Sequence, residues 1–239
     1  MEVSKVAKFL SVQRHELKYP INFLQYTNLS NRLKNVLLED KHNGTIGYPV
    51  RSVYFDSYAD ADFYDKLHGL EYRKKVRLRT YSPDSPTVKL EIKRKVGDSQ
   101  EKKSLIISKE DAKELINLNY HVLKKYESET ASMFYNIMRF NGLRPVVHVE
   151  YRRKAFIHPM NNIRITLDSD IRSSETDFNM FNELPILVPV EDYYFALLEV
   201  KYNAFIFKWI TDLIGFHDLT RLSYSKYMVS RGIFERYMA

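Results

Sequence analysis

Several segments of the sequence alternate apolar and charged residues with a period of two, and their charged positions could bind a multiply charged anion. In TVKLEIKRK, residues 87–95, valine, leucine and isoleucine alternate with Lys89, Glu91 and Lys93. Successive side chains of a strand point to opposite faces, so this alternation predicts a half-buried strand with one charged face. The presence of both lysine and glutamate on that face raises the question of what the charges contact.

The same alternation recurs in four other segments, and it predicts strands that each carry one mixed, mostly cationic face. The polar positions of these segments are Arg14, Glu16 and Lys18; Arg77 and Arg79; Arg164, Thr166 and Asp168; and Glu199 and Lys201. One strand of this kind is also typical of a sheet with a solvated side. The set as a whole favours a closed barrel, in which the charges converge on a lumen and helices cover the outside.

A lumen crowded with cations is costly when it is empty, so the pattern predicts an anionic occupant. A phosphate chain fits, because its charge is dense and because it carries a hard divalent cation that prefers carboxylate ligands. Duplex nucleic acid is not expected, since it needs an exposed basic surface. The sequence has no G-x-x-x-x-G-K-[ST], G-x-G-x-x-G or H-E-x-x-H motif, which excludes the usual nucleotide loops and zinc-protease helix.

The composition is that of a globular protein with a cationic excess. Lys and Arg number 37 against 30 for Asp and Glu, which gives a formal net charge of +7 and favours a polyanionic partner. There is no cysteine, so disulfides and thiolate metal sites are excluded. No apolar run approaches the length of a signal peptide core or a spanning helix, and we expect a cytoplasmic protein that only a partner could hold at a membrane.

Turn and capping signals divide the chain into strands and helices without a linker, which predicts one α+β domain over residues 1–239 with a mostly antiparallel sheet. The predicted strands are 14–20, 48–56, 72–81, 87–95, 101–108, 145–157, 162–168 and 194–202. The predicted helices are 22–40, 60–67, 108–118, 128–140, 203–215 and 223–237.

Six motifs occur in an order that resembles a known family. They are RHELKY, YFDSYADADFYDKLHGLEYRKKVRLR, LEIKRK, YRRKAF with IRITLD, LLEVKY and SYSKY. In this order they resemble the VTC domain, the catalytic domain of vacuolar-transporter-chaperone polyphosphate polymerases, within the triphosphate tunnel metalloenzymes or CYTH-like superfamily. The resemblance spans roughly residues 12–232, and with no SPX-like or membrane segment in the sequence it points to the free-standing bacterial type.

The resemblance implies a closed antiparallel tunnel that transfers the γ-phosphate of ATP to a growing polyphosphate chain with Mn²⁺ or Mg²⁺. By motif, the implied catalytic residues are Lys18, Arg77, Arg79, Lys93, Arg153, Arg164, Lys201 and Lys226. Lys102, Tyr151 and Ser225 are implied to bind phosphate or nucleotide. Glu199 is the implied metal ligand, with Glu16 and Glu91 as further candidates whose alternative role is compensation of cationic charge.

Some alternatives stay open at the level of sequence. Alternation alone would allow Glu150 and Arg152 on the site face in place of Tyr151 and Arg153, and Ser104 stands where the family usually has arginine. A triphosphatase of the same fold, with water as nucleophile, and a non-catalytic module that binds polyphosphate or nucleotide would both have such a lining. ATP and polyphosphate are the expected partners, and a membrane protein could receive the product.

Overall fold

The computed structural model describes residues 14–97, 99–190 and 194–238, and the chain divides into two compact units. Unit 1 comprises Met1–Asn43, Lys154–Asp168 and Tyr194–Leu222. Unit 2 comprises Gly44–Arg153, Ser169–Tyr193 and Ser223–Ala239. The single domain over 1–239 stays a prediction.

The described strands form one large sheet and differ widely in length. They are β1 (Arg14–Ile21), β2 (Leu38–Glu39), β3 (Tyr48–Asp56), β4 (Tyr72–Thr80), β5 (Thr87–Val96), β6 (Ser99–Ser108), β7 (Arg144–His158), β8 (Ile163–Ser174), β9 (Val188–Pro189) and β10 (Ala196–Asn203). Their order is β1-β10-β8-β7-β3-β4-β5-β6, with β2 beside β7 and β9 beside β8. The ladders β1–β10, β3–β4, β3–β7, β4–β5 and β5–β6 are antiparallel.

Six α-helices are described, and three of them begin at a side-chain cap. They are α1 (Phe23–Val36), α2 (Ala61–Leu67), α3 (Lys109–Ile116), α4 (Glu129–Phe140), α5 (Lys208–Ile214) and α6 (Lys226–Met238), with 3₁₀ turns at Tyr120–Lys125, Met160–Asn162 and Phe216–Asp218. Asn22, Ser108 and Ser128 each accept a backbone N–H of the following first turn. In the described part of the chain, no helix is long and apolar enough to cross a membrane.

The predicted closure into a barrel is wrong for this sheet. Within the described residues the strand order ends at β1 on one side and at β6 on the other, so the sheet is not closed. Strand β6 carries Glu101, Lys102 and Lys103 as consecutive exposed residues. Charged side chains of this kind protect an open edge from pairing with another strand, so the edge needs no closure to be stable. The α+β class and the antiparallel ladders are confirmed.

In unit 1, the apolar face of the sheet packs against α1 and α5. Tyr19 and Ile21 of β1, with Leu198 and Val200 of β10, belong to one buried cluster. The helical members of this cluster are Leu29, Leu33, Ile210 and Ile214. Alternation therefore puts the even-numbered polar residues of β1 and the odd-numbered ones of β10 on the opposite face.

In unit 2, the apolar face of β3, β4 and β5 packs against α3 and α4. Its strand members include Val53, Phe55, Val76, Leu78, Leu90 and Ile92, and its helical members include Ala112, Leu115, Phe134 and Met138. All ten of these side chains are nearly fully buried. The core therefore fixes which face of each strand carries the charged residues.

Candidate functional site

The face of unit 2 opposite its core carries a set of polar and cationic side chains that we call the cationic face. Direct cross-strand partners share a face of a sheet, and this register joins Tyr54 to Arg77, Arg77 to Glu91 and Glu91 to Ser104. By register, the cationic face consists of Ser52, Tyr54, Lys75, Arg77, Arg79, Lys89, Glu91, Lys93, Lys102, Tyr151 and Arg153. Cations outnumber carboxylates in this set.

Glu91 lies among three of these cations and is nearly buried. Its Oε2 atom accepts from Nε of Arg77 at 2.8 Å and lies 2.7 Å from a terminal guanidinium nitrogen of the same residue. Nζ of Lys102 lies 2.5 Å from Oε1 of Glu91, and a guanidinium nitrogen of Arg79 lies 4.0 Å from Oε2. Two nitrogens of Arg77 contact the same oxygen of Glu91, which holds both groups in one orientation.

Burial by itself would raise the pKa of Glu91, but the surrounding cations dominate. The charges of Arg77 and Arg79, with hydrogen bonds from Lys102 and Arg77, lower that pKa from 4.5 to about 2. Burial lowers the pKa of Arg77, but Tyr54 and Glu91 raise it by more, so the guanidinium remains charged. The carboxylate and the arginine therefore keep each other ionised in a poorly solvated place.

Hydroxyl groups accept hydrogen bonds from both arginines. Arg77 donates to the hydroxyl of Tyr54 at 3.1 Å, and Arg79 donates to Ser52 at 3.2 Å and to Tyr151 at 3.3 Å. Burial raises the pKa of Tyr54, but the positive charges of Arg77 and Arg79 outweigh it and the pKa is lowered. These hydrogen bonds therefore hold the two guanidinium groups in fixed orientations.

The beginning of α6 adds two further groups to the cationic face. Nζ of Lys75 donates to the hydroxyl of Ser225 at 2.6 Å. Nζ of Lys226 lies 4.6 Å from the ring centroid of Tyr151, and Cζ of Arg153 lies 5.2 Å from the same centroid. Both distances are those of cation–π contacts. The SYSKY motif therefore lies against the same face as Arg79.

A buried tyrosine–aspartate contact fixes this helix. The hydroxyl of Tyr227 donates to Oδ2 of Asp56 at 2.5 Å, and the Tyr227 ring lies 5.2 Å from that of Tyr54. Burial, followed by the charge of Asp56, raises the pKa of Tyr227 well above its ordinary value. Asp56 also accepts the backbone N–H groups of Asp62 and Phe63 at 3.0 Å. The residue beside Lys226 is therefore tied to the end of β3.

Unit 1 carries a separate group of four alternating charges. Lys18 is the cross-strand partner of Glu199, and Glu16 is the partner of Lys201. Nζ of Lys18 lies 2.9 Å from Glu16, and Lys201 forms an ion pair with Glu199. Glu199 is only 5% exposed. The four side chains form a compact block in which each carboxylate neighbours two ammonium groups.

Arg164 also belongs to unit 1, on the face of β8 opposite Ile163 and Ile165. These two isoleucines are fully buried in the core of unit 1. The pKa of Asp40 is lowered from its ordinary value. Burial raises this pKa, but hydrogen bonds with His42 and the charges of His42 and Arg164 outweigh burial. Arg164 therefore lies within electrostatic range of a loop carboxylate.

The candidate metal ligands of unit 1, Glu16 and Glu199, each form an ion pair with a lysine. In the part of the chain that the structure describes, no group of three or more His, Cys, Asp or Glu residues could hold a metal ion. Mg²⁺ is commonly bound through one or two carboxylates together with substrate phosphates. Glu16 and Glu199 are diagonal neighbours across β1 and β10, and a cation bound by both would have to replace their contacts with Lys18 and Lys201. Glu91 is likewise surrounded by cations, which contact both of its carboxylate oxygens.

Several contacts at the cationic face involve residues that sequence reasoning did not assign. Lys75 is two residues from Arg77 in β4, so the alternation of this strand could have assigned Lys75 to the same face. Ser52 and Tyr54 could likewise have been read from the period of β3. The contact between Asp56 and Tyr227, 171 residues apart, leaves no local signal. Glu150 lies 3.0 Å from Nε of Arg51 on the other face, whereas Tyr151 faces Arg79.

Comparison with known sequences decides the family. Residues 13–234 match the VTC domain family. The chain belongs to this family. Two relatives of the VTC domain protein are named vacuolar transporter chaperone complex subunit 4, from Trypanosoma brucei brucei and Trypanosoma cruzi. They are 25% and 23% identical over alignments of 221 residues, and the matches cover 77% of this chain and 28% of each relative. This VTC domain chain therefore spans about a quarter of their length.

A solved structure supports the fold alone. A candidate adenylate cyclase from Bacillus halodurans superposes on the VTC domain protein with a TM-score of 0.52. The superposition covers 89% of this chain and 95% of that one, at 11% sequence identity. Similarity at this level carries the arrangement of strands and helices and not the chemistry.

Proposed function

We propose that this VTC domain protein synthesises polyphosphate by transferring the γ-phosphate of ATP to the end of a phosphate chain. The observation that carries the proposal is the cationic face of unit 2, where Arg77 and Arg79 are oriented and partly desolvated around Glu91. The family membership and the relatives named as subunits of the vacuolar transporter chaperone complex support the same assignment.

The proposed role of unit 2 is to bind and orient the triphosphate. Arg77, Arg79 and Arg153 would contact phosphate oxygens, because guanidinium groups match them geometrically. Lys93, Lys102 and Lys226 would neutralise the remaining charge, and Ser225 would donate a hydrogen bond. Tyr151 would keep Arg79, Arg153 and Lys226 in place. Phosphoryl transfer depends mainly on such positioning and charge neutralisation, so no covalent intermediate with the protein is needed.

The charged block of unit 1 has its own proposed role, which is to bind phosphate oxygens and a divalent cation. Lys18, Lys201 and Arg164 would bind phosphate oxygens. Glu199, with Glu16 beside it, would hold Mn²⁺ or Mg²⁺. A divalent cation at such a place supplies charge neutralisation of phosphate oxygens. Glu91 would act as the carboxylate that orients Arg77 and Arg79, which is its charge-compensating role.

The nucleophile would be a terminal phosphate oxygen of the acceptor chain. This oxygen is already ionised near neutral pH, so the reaction requires no general base from the protein. The bond between the β-bridging oxygen and the γ-phosphorus breaks, ADP leaves with that electron pair, and the acceptor chain becomes one phosphate longer. The relatives are named as complex subunits, and we extend to this chain the proposal that a partner protein receives the product.

The test is product analysis of the purified chain incubated with ATP and Mn²⁺. The proposal expects ADP together with a ladder of polyphosphate on a stained gel. Arg77→Ala should remove the ladder. Arg172→Ala is the matched control, because Arg172 pairs with Asp170 in the same unit and its side chain is 51% exposed. Release of free phosphate without a ladder would overturn the polymerase in favour of a triphosphatase.

A further inference from the structure

The two ends of the cationic face differ in chemistry. At one end, Tyr48 and Tyr81 approach each other with ring centroids 6.0 Å apart and planes at 63°. Nζ of Lys89 lies 5.6 Å from the ring centroid of Tyr81. Toward the other end, Lys93 is the cross-strand partner of both Lys75 and Lys102, and Lys75 donates to Ser225. One end is aromatic and the other is cationic and hydroxylic.

Register ties the aromatic end to the arginines. Tyr81 directly follows β4, two residues beyond Arg79, and Tyr48 is the cross-strand partner of Arg153. At about 3.3 Å per residue, Tyr81 lies roughly 7 Å along the strand from Arg79. Gly47 packs so closely on β7 that an added Cβ would lie 2.7 Å from the carbonyl oxygen of Arg153. The backbone next to Tyr48 is therefore held tightly beside Arg153.

Exposure separates Tyr81 from the other rings of this face. Tyr54 and Tyr151 are 7% and 2% exposed, so they serve as hydrogen-bond partners and packing for cations. Tyr81 is 42% exposed and can offer its ring to a bound molecule. Phosphate gains little from an aromatic ring, whereas every nucleobase has a flat face that stacks on one. A nearby cation strengthens such a platform.

We propose that Tyr81, with Tyr48 and Lys89, forms the nucleoside subsite of the cationic face and thereby fixes the direction in which the nucleotide lies. The inference rests on the proposed function. With the base on Tyr81, the α- and β-phosphates lie along Arg79 and Arg77. The γ-phosphate then points toward Lys75, Lys93 and Ser225, and the acceptor chain approaches from that cationic end. A ribose spans the gap between Tyr81 and Arg79.

The test compares binding of ATP and of inorganic triphosphate to the full chain by titration calorimetry. Tyr81→Leu should weaken ATP binding about tenfold, within the range of base–aromatic stacking, and change triphosphate binding less than about twofold. Tyr81→Phe keeps the ring and should retain ATP binding. Tyr72→Leu is the matched control, because Tyr72 is 56% exposed and begins the same strand on the opposite face.

The outcomes separate this inference from the proposed function. If wild-type protein binds both ligands and Tyr81→Leu affects them equally or not at all, the nucleoside subsite is wrong and the phosphate-binding role of the face stands. If wild-type protein binds neither ligand, both proposals fail. A loss confined to ATP, restored in Tyr81→Phe, is the result that supports the subsite.

Discussion

The hydroxyl of Tyr227 donates a 2.5 Å hydrogen bond to the buried carboxylate of Asp56, and this contact ties the beginning of α6 to the end of β3. Asp56 is fully buried and Tyr227 is 2% exposed. A buried polar group of this kind is tolerated because it accepts several hydrogen bonds at once. The beginning of α6 is therefore fixed, and it positions Ser225 and Lys226 at the cationic face.

Tyr227→Phe should destabilise the protein and loosen the position of Lys226 at the cationic face. Removing the hydroxyl leaves the carboxylate of Asp56 with backbone N–H donors alone, which should cost about 1–3 kcal/mol in the free energy of unfolding. Urea unfolding measures this loss. Tyr64→Phe is the control, since Tyr64 is 44% exposed. Equal unfolding free energies for Tyr227→Phe and wild type would contradict the anchoring role.

Glu91 should make the stability of the protein depend on pH in the acid range. Its pKa is lowered from 4.5 to about 2, so its contribution to stability is complete above the unfolded pKa and is lost as the pH falls toward 2. The full effect is on the order of 2–3 kcal/mol. Urea unfolding at about pH 5 and about pH 3 should show a smaller decrease for Glu91→Gln than for wild type. Parallel decreases in the two proteins would refute the assignment.

Arg77→Ala should reduce turnover of ATP by more than tenfold. Loss of one oriented donor at a developing charge costs about 3 kcal/mol in comparable sites. Steady-state ADP release measures the effect, with Arg172→Ala as the control named above. Arg77→Lys should recover only part of the activity, because an ammonium group cannot reproduce the two-nitrogen contact with Glu91. A loss below tenfold for the alanine variant would remove Arg77 from the site.

Glu199→Gln should abolish metal-dependent turnover and leave the fold intact. The change removes the proposed ligand and leaves Lys18 and Lys201 without its charge. Titration of activity with Mn²⁺ is the measurement, and circular dichroism checks the fold. Asp212→Asn removes an acidic charge from the same unit at a 53% exposed side chain and should leave the titration unchanged. Full metal-dependent activity in Glu199→Gln would rule out the metal assignment.

Local pattern was sufficient to predict most elements of the fold. The period of two predicted strand 48–56 with the bounds of β3, and the capping signal at Ser108 predicted where α3 begins. Helix 203–215 was predicted too long, because α5 starts only at Lys208. Closure of the sheet was beyond local pattern, since it depends on whether the two edge strands, β1 and β6, pair with each other.

The alternation along each strand predicted which side chains share a face, but it did not predict which of them are in contact. Arg77, Arg79 and Glu91 were placed together by alternation, and the ladder of β4 and β5 brings them into contact. The support for Lys226 comes from a residue far away in sequence, which no period reveals. The roles of these residues with phosphate and metal stay predictions.

The fate of the γ-phosphate tests the central claim most directly. Purified protein is incubated with Mn²⁺ and ATP radiolabelled at the γ-position, and the label is followed into polyphosphate and into free phosphate. Label accumulating in chains, in step with ADP release and absent in Arg77→Ala, is the predicted result. Label appearing only as free phosphate, or remaining in ATP, would contradict transfer of the γ-phosphate to a growing chain.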